Sequence, residues 1–313
     1  MPFYKRKAFV ITVAALALLV IVNLALYEPD ISLNELKAKY ANGQSRFIEV
    51  DGMPVHYRIE GTGPDLVLVH GTGAILQTWD RWVELLSPQY RIIRMDIPAF
   101  GLTGPHPNGD YSDTMYVQFM EHFATKLGLD TFAMAGNSLG GLICWRYAAA
   151  HPERVNKLVL VDPGGFYENN KKGGSFIFKM ARNYPTITGL VAKTGTHYFV
   201  GKTLKEVYAD DTKITPQLVT TYTELNRREG NRASFVARAK QIYQHTDDQL
   251  KTITCPTLVL WGEEDVLIDV AEAAHFKNIP NHKLIIYKNA GHSPQEEIPE
   301  QTAKDVEEFL AQP

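Results

Sequence analysis

The 313 residues include 45% hydrophobic and 11% aromatic side chains, and the net charge is −3 with a pI near 6.4. These values exclude a disordered or low-complexity chain, and the lack of a basic excess argues against an extended nucleic-acid footprint. The length is enough for one large core with an insertion, or for two modest domains.

Ala8 to Leu26 is a run of nineteen residues without a charge, preceded by Lys5, Arg6 and Lys7 and followed by Glu28 and Asp30. As a helix it would extend about 28 Å, close to the hydrocarbon thickness of a bilayer. The basic cluster should stay in the cytoplasm and send the body outward. The expectation is therefore a single-pass anchor over residues 1–27, with a periplasmic or extracytoplasmic body at the inner membrane. The alternatives are a cleaved signal peptide, which would release a secreted protein, and a buried core helix; the boundary N-L-A-L-Y-E-P is a poor cleavage site.

Residues 28–46 read as a connector with one short amphipathic helix. Ser32 and Glu35 have capping-box spacing, and Leu33, Leu36 and Tyr40 share a face. Phe47–Val50 and Val55–Glu60, separated by Asp51-Gly52, predict an antiparallel hairpin. Leu66–Val69 is a continuous apolar run of the kind needed by a strand covered on both faces. Strands and helices then alternate: a helix over Trp79–Leu86, a strand over Arg91–Met95, a helix over Thr114–Leu127, strands over Thr131–Ala135 and Lys157–Val161. From Pro163 to Leu250 about 85 residues carry no convincing strand and read as a helical cap. The rhythm resumes with Thr257–Leu260, a helix around Val270–Lys277, the strand Leu284–Tyr287 and a helix over Ile298–Ala311. Such alternation predicts an α/β fold with a mainly parallel sheet, its core divided between 47–162 and 251–313 and its cap over 163–250.

Gly136-Asn137-Ser138-Leu139-Gly140 lies where the strand ending at Ala135 gives way to the helix Leu139–Ala150. Small flanking residues let the chain reverse sharply there and leave the serine side chain projecting. The bland alternative is an ordinary glycine-rich strand-to-helix turn. Functional groups in an open parallel sheet gather beyond the carboxyl ends of its strands. Two further strand ends carry complementary groups: Asp265 in W-G-E-E-D and His292 in N-A-G-H-S-P. A serine needs a base of near-neutral pKa, and an imidazole needs a carboxylate to fix its tautomer. Ser138, His292 and Asp265 meet those needs, with Glu263, Glu264, Asp269 and Asp162 as rival acids. Leu139 N–H and Thr72 N–H, the latter in H-G-T-G after the strand Leu66–Val69, are the candidate oxyanion donors.

Gly71, Asn137 and Phe166 are candidates for the substrate pocket. His70 is expected to shape its loop by hydrogen bonding, and Asp96 to brace the I-P-A-F-G turn. Arg227, Arg228, Arg232 and Arg238 read as a solvated helix face; the sharper alternative is that one binds a substrate carboxylate. Cys144 and Cys255 read as small core residues. Zinc-protease, C-x-x-C and P-loop motifs are missing, so no metal or nucleotide is expected.

H-G-T-G at 70–73, D-I-P-A-F-G at 96–101, G-N-S-L-G-G at 136–141, W-G-E-E-D at 261–265 and G-H-S-P at 291–294 together closely resemble the α/β-hydrolase superfamily. The resemblance runs from about Phe47 to the C-terminus. It implies an eight-stranded sheet, a cap after the sixth strand, the roles given above to Ser138, Asp265, His292, Thr72 and Leu139, and no cofactor. Within the superfamily the chain looks most like bacterial membrane-anchored or secreted carboxylesterases and lipase-like hydrolases. The expected partners are a small-molecule ester substrate and, through the N-terminal helix, a membrane, with no obligate protein partner. Asn137 also resembles hydrolases of carbon-carbon bonds in ring-fission products, although Ser293 stands where that subfamily usually has tryptophan. Carbon-carbon or amide hydrolysis, or a ligand-binding receptor with negligible turnover, are the alternatives.

Overall fold

The computed structural model describes residues 3–166, 174–241, 243 and 247–312. The charge-free N-terminal run forms helix α1 (Phe3–Ala25). Phe9, Ile11, Leu18 and Ile21 on it are exposed. A bilayer core needs about 20 consecutive apolar residues. Among the described residues no helix is long and apolar enough to cross a membrane, so the expected transmembrane span finds no support here. The helix meets the body at its far end, where Thr194 Oγ1 donates to Asn23 Oδ1 (2.6 Å) and Gly195 N–H donates to Leu26 O (2.9 Å).

The connector forms α2 (Leu33–Tyr40), whose N-terminus is capped as the sequence predicts: Ser32 Oγ accepts from Glu35 N–H at 3.2 Å. Leu36 is buried against Ile75, Leu102, Leu204 and Tyr222, so α2 lies against the body and the segment above it.

β1 (Ser45–Val50) and β2 (Met53–Glu60) pair antiparallel with Val50 opposite Met53. Asp51 and Gly52 turn the hairpin at φ +51° and +77°, a geometry that Asp-Gly accepts at low cost. Then follow β3 (Asp65–Val69), α3 (Asp80–Leu86), β4 (Arg91–Met95), α4 (Asp113–Lys126), β5 (Phe132–Asn137), α5 (Leu139–Ala150) and β6 (Val155–Val161). The helix expected from Trp79 is preceded by a 3-10 turn over Leu76–Trp79. Between β6 and β7 the described residues are helical: α6 (Phe176–Asn183), α7 (Pro185–Val191), α8 (Thr196–Val207), α9 (Pro216–Asn226), α10 (Asn231–Ala239) and α11 (Asp247–Leu250). β7 (Thr257–Gly262), α12 (Ala273–Phe276), β8 (His282–Tyr287), α13 (Pro294–Glu297) and α14 (Pro299–Leu310) complete the chain.

The eight strands form one sheet in the order β1-β2-β4-β3-β5-β6-β7-β8. β2 runs antiparallel to both neighbours, and every pairing from β4 through β8 is parallel. Alternation along β3 sends Val67 and Val69 to a core with Phe119, Leu142 and Trp145, and Leu66 and Leu68 to a second core with Trp82, Val306 and Phe309. Helices cover both faces, which is why the run Leu66–Val69 is apolar without interruption. Cys144 and Cys255 are buried free thiols.

The first turn of α5 packs directly on the end of β3. A Cβ on Gly140 would fall 2.0 Å from Val69 O and 2.7 Å from His70 O, both rigid backbone atoms. In an open helix Gly→Ala gains about 1 kcal/mol, whereas overpacking of this kind costs about 3. Gly140→Ala is expected to lower the unfolding free energy by about 2 kcal/mol in urea denaturation.

Candidate active site

Asn137 ends β5, and Ser138 follows with φ +57° and ψ −116°, a conformation that costs a non-glycine residue energy. The fold holds it from both sides: Ser138 N–H donates to Val161 O (3.0 Å), and Gly164 N–H donates to Ser138 O (2.9 Å). Leu139 opens α5, so its N–H is one of the amides that a helix leaves without an internal partner. The glycines around the bend are there for space. A Cβ on Gly71 would sit 2.9 Å from Ser138 Cβ, and one on Gly136 would sit 2.3 Å from Gly140 O.

His292 is buried and donates from Nδ1 to Asp265 Oδ2 at 2.6 Å. A carboxylate only accepts, so the proton is on Nδ1 and Nε2 is left as the basic atom. Asp265 is oriented in turn by the N–H groups of Leu267 (2.7 Å) and Ile268 (3.0 Å), which both donate to Oδ1. Its rivals Glu263 and Glu264 are exposed, and Asp269 caps the turn after β7 by accepting from Ala271 N–H. Asp162 is close by and fully buried. Ligand atoms of Asp162, Asp265 and His292 lie within 4.8 Å of one another, a set that could hold a cation, but the imidazole and Asp265 are already joined by their hydrogen bond.

Ser138, His292, Gly71, Thr72, Asn137 and Leu139 all face one cavity of about 540 Å³. Apolar side chains dominate its wall, with Phe176, Phe178, Val191, Phe199, Leu204 and Phe235 contributed by the helices between β6 and β7, beside a few cationic ones. Asn137 also ties the site together, because its amide donates to Val161 O (3.2 Å) and to His292 O (2.9 Å). Phe166 does not belong to this wall. It is buried in the core, stacked on Trp145 and His275, because these rings give its apolar side chain a dry place beside α5 and α12.

His70 shapes the Thr72 loop: Nδ1–H donates to Gly71 O (2.8 Å), and Nε2 accepts from Ile97 N–H (3.1 Å). Burial keeps this imidazole neutral by pushing its pKa down, which the acceptor role of Nε2 requires. Asp96 braces the turn after β4 by accepting from Leu102 N–H (2.8 Å), and it also accepts from Leu76 N–H (2.9 Å) and His56 Nδ1–H (2.8 Å). Burial alone would raise its pKa, but the hydrogen bond from His56 and those of the backbone hold it below the ordinary carboxylate range.

The expectation of a solvated arginine face needs correction. Arg228, Arg232 and Arg238 are buried. Arg232 pairs with Asp30 (2.5 Å) and donates to Glu28 O and Thr196 Oγ1, so it fastens the connector to α8. Arg238 lies over the rings of Phe178 and Tyr243. Arg232 and Arg238 both reach the cavity wall, which suits the alternative of an inward-facing cation.

Sequence reasoning passed over the acidic pair after His292. Glu296 reaches the cavity and accepts from Tyr208 OH (2.8 Å) and Tyr222 OH (3.0 Å). Glu297 accepts from Gly291 N–H and from Ala209 N–H, each at 2.8 Å, while His292 N–H donates to Val207 O (2.7 Å). The loop carrying the imidazole is thereby bound to the end of α8. The available signal was spacing: Glu296 lies four residues after His292, on the short helix that begins there.

The chain belongs to the α/β hydrolase fold family, which matches residues 64–299. It is 32% identical over 253 residues to a pimeloyl-(acyl-carrier protein) methyl ester esterase of Legionella pneumophila strain Paris, covering 77% of this chain and 93% of that one. It is 30% identical over 289 residues to a 2-hydroxy-6-oxononadienedioate/2-hydroxy-6-oxononatrienedioate hydrolase of Burkholderia vietnamiensis strain G4, covering 85% and 95%. Among solved structures it is similar to a membrane phospholipase A described as a bacterial virulence factor, with a TM-score of 0.73 and 26% identity over 99% of this chain and 98% of that one.

Burial pushes the Glu296 carboxyl up to about 7, against 4.5 ordinarily. Between those values the folded state keeps a proton that the unfolded state releases, so stability falls as pH rises through the window. The loss amounts to roughly 3 kcal/mol at most, since this carboxyl at the cavity wall is only partly shielded from solvent. Glu296→Gln is expected to be free of it: the stability of the variant relative to wild type should rise by roughly that amount between pH 4.5 and 7.5 in guanidinium denaturation.

Proposed function

We propose that this α/β hydrolase cleaves carboxylic esters through an acyl-enzyme. The observation that carries the proposal is the 2.6 Å Asp265–His292 pair, placed on the same cavity as a serine held at φ +57°. Ser138 Oγ attacks the ester carbonyl as His292 Nε2 takes its proton. The Thr72 and Leu139 amides hold the oxyanion, and the imidazolium, stabilised by Asp265, protonates the departing alcohol. Water then repeats the sequence with the same base and frees the acid. The apolar wall favours hydrophobic acyl groups, a reading also supported by the likeness to a phospholipase A.

The cut of a carbon-carbon bond by the same triad is the second reading, and the 30% identical ring-fission hydrolase favours it. Cleavage of a vinylogous diketone, together with no turnover of any ester, would select that reading. Stoichiometric labelling by a fluorophosphonate without turnover would point instead to a receptor. An extracytoplasmic body at the inner membrane is the proposed location, on the strength of Lys5, Arg6 and Lys7 ahead of the charge-free run Ala8–Leu26. Protease accessibility in spheroplasts tests it.

A p-nitrophenyl ester series from acetate to palmitate measures acyl preference. Ser138→Ala is expected to abolish turnover and fluorophosphonate labelling, and equal activity would reject the mechanism. Asp265→Asn should lower kcat by about 10⁴-fold, because the imidazole loses its fixed tautomer while the fold remains.

A further inference from the structure

One buried carboxyl beside the site has no part in the mechanism above. Asp162 closes β6, is fully buried, and takes φ +43°, a strained value for a residue with a side chain. Its Oδ1 accepts from Gly262 N–H at 2.9 Å. Among the described residues its Oδ2 has no hydrogen-bond partner. The groups facing it are acidic or weakly so: Asp265 in the loop after β7, Glu297 on α13 and the Tyr287 hydroxyl at the end of β8; the His292 ring completes the cluster.

Two carboxylates this close in a dry site cannot both stay charged at modest cost, so one of them keeps a proton. Asp265 is the charged member, because three N–H groups point at it: those of Leu267, Ile268 and the imidazole. Asp162 receives a single N–H, and burial together with the charge of Asp265 pushes its carboxyl well above the ordinary range. Its bare Oδ2 is an unexplained buried acceptor as a carboxylate but a competent donor as a hydroxyl.

We propose that Asp162 is a positioning residue of this hydrolase: it stays protonated through the working pH range and donates its O–H to the Asp265 carboxylate. The donation adds a fourth hydrogen bond to Asp265 and disfavours proton transfer from imidazole to carboxylate. It also spares the imidazole a second neighbouring negative charge. No bond to substrate is formed or broken by Asp162, and its proton never leaves it during turnover.

The inference rests on the hydrolase reading, so the test has one arm independent of turnover. In the infrared spectrum of the wild-type protein at pH 9, a protonated-carboxyl C=O band should persist and should be lost in Asp162→Asn; absence of that band in the wild type overturns the inference. In kinetics, Asp162→Asn keeps a neutral donor of the same shape. It should leave kcat/KM within about threefold of wild type and move the acid limb of its pH profile by less than about 0.3 unit. Were Asp162 ionised, the same substitution would remove a charge beside the imidazole and lower that limb by about one unit or more. Asp162→Ala should lose about 10- to 100-fold in kcat with KM little changed, and full rescue by Asn separates positioning from mere space filling. Equal losses in both variants overturn the inference. A wild type that neither hydrolyses esters nor reacts with a fluorophosphonate would instead defeat the hydrolase reading, and the infrared band would still decide the state of Asp162.

Discussion

The structure depends on how closely the end of β3 approaches the start of α5. Backbone carbonyls of Val69 and His70 occupy the space where a side chain at 140 would lie, and Ser138 occupies the space beside Gly71. That crowding holds the serine in a conformation that it would otherwise leave. It also brings the Thr72 loop and the start of α5 to one cavity. The sheet supplies the rigidity: β3, β5, β6 and β7 are central strands covered on both faces, so their ends cannot drift apart.

Polar groups finish what the sheet begins. Asp96 gathers the turn after β4, the His56 ring and the turn before α3 on one carboxylate, and His70 joins that turn to the Thr72 loop. Asn137 performs the same service between β6 and the His292 loop. These contacts are short, buried and made largely with backbone, so they set positions with little freedom.

Most of the core was legible because its signals are local. The helix Leu139–Ala150 was read with its observed bounds, since a glycine-rich bend fixes its start and an apolar run its course. Strand ends differ by one or two residues where a polar residue such as Asp65 or Asn137 extends a pairing that hydrophobicity alone does not reveal. The strand ends carrying Ser138, Asp265 and His292 were legible for the same reason. The acidic pair Glu296 and Glu297 was not, because in sequence P-Q-E-E resembles a solvated helix start. Only the helices arriving from residues 196–226 bury it. The buried arginines misled for a related reason: Arg232 finds its counterion about 200 residues away, at Asp30. Phe166 was misplaced because a position just after a strand does not reveal which way the chain then turns.

That long-distance ion pair makes the stretch just after α1 an integral wedge of the catalytic body. A cut upstream of Glu28 would leave the Asp30–Arg232 pair in place. A cut downstream of Asp30 would strip the buried Arg232 guanidinium of this carboxylate and loosen the roof above the serine. Loss of α1 spares the ion pair only where the break falls before that three-residue boundary.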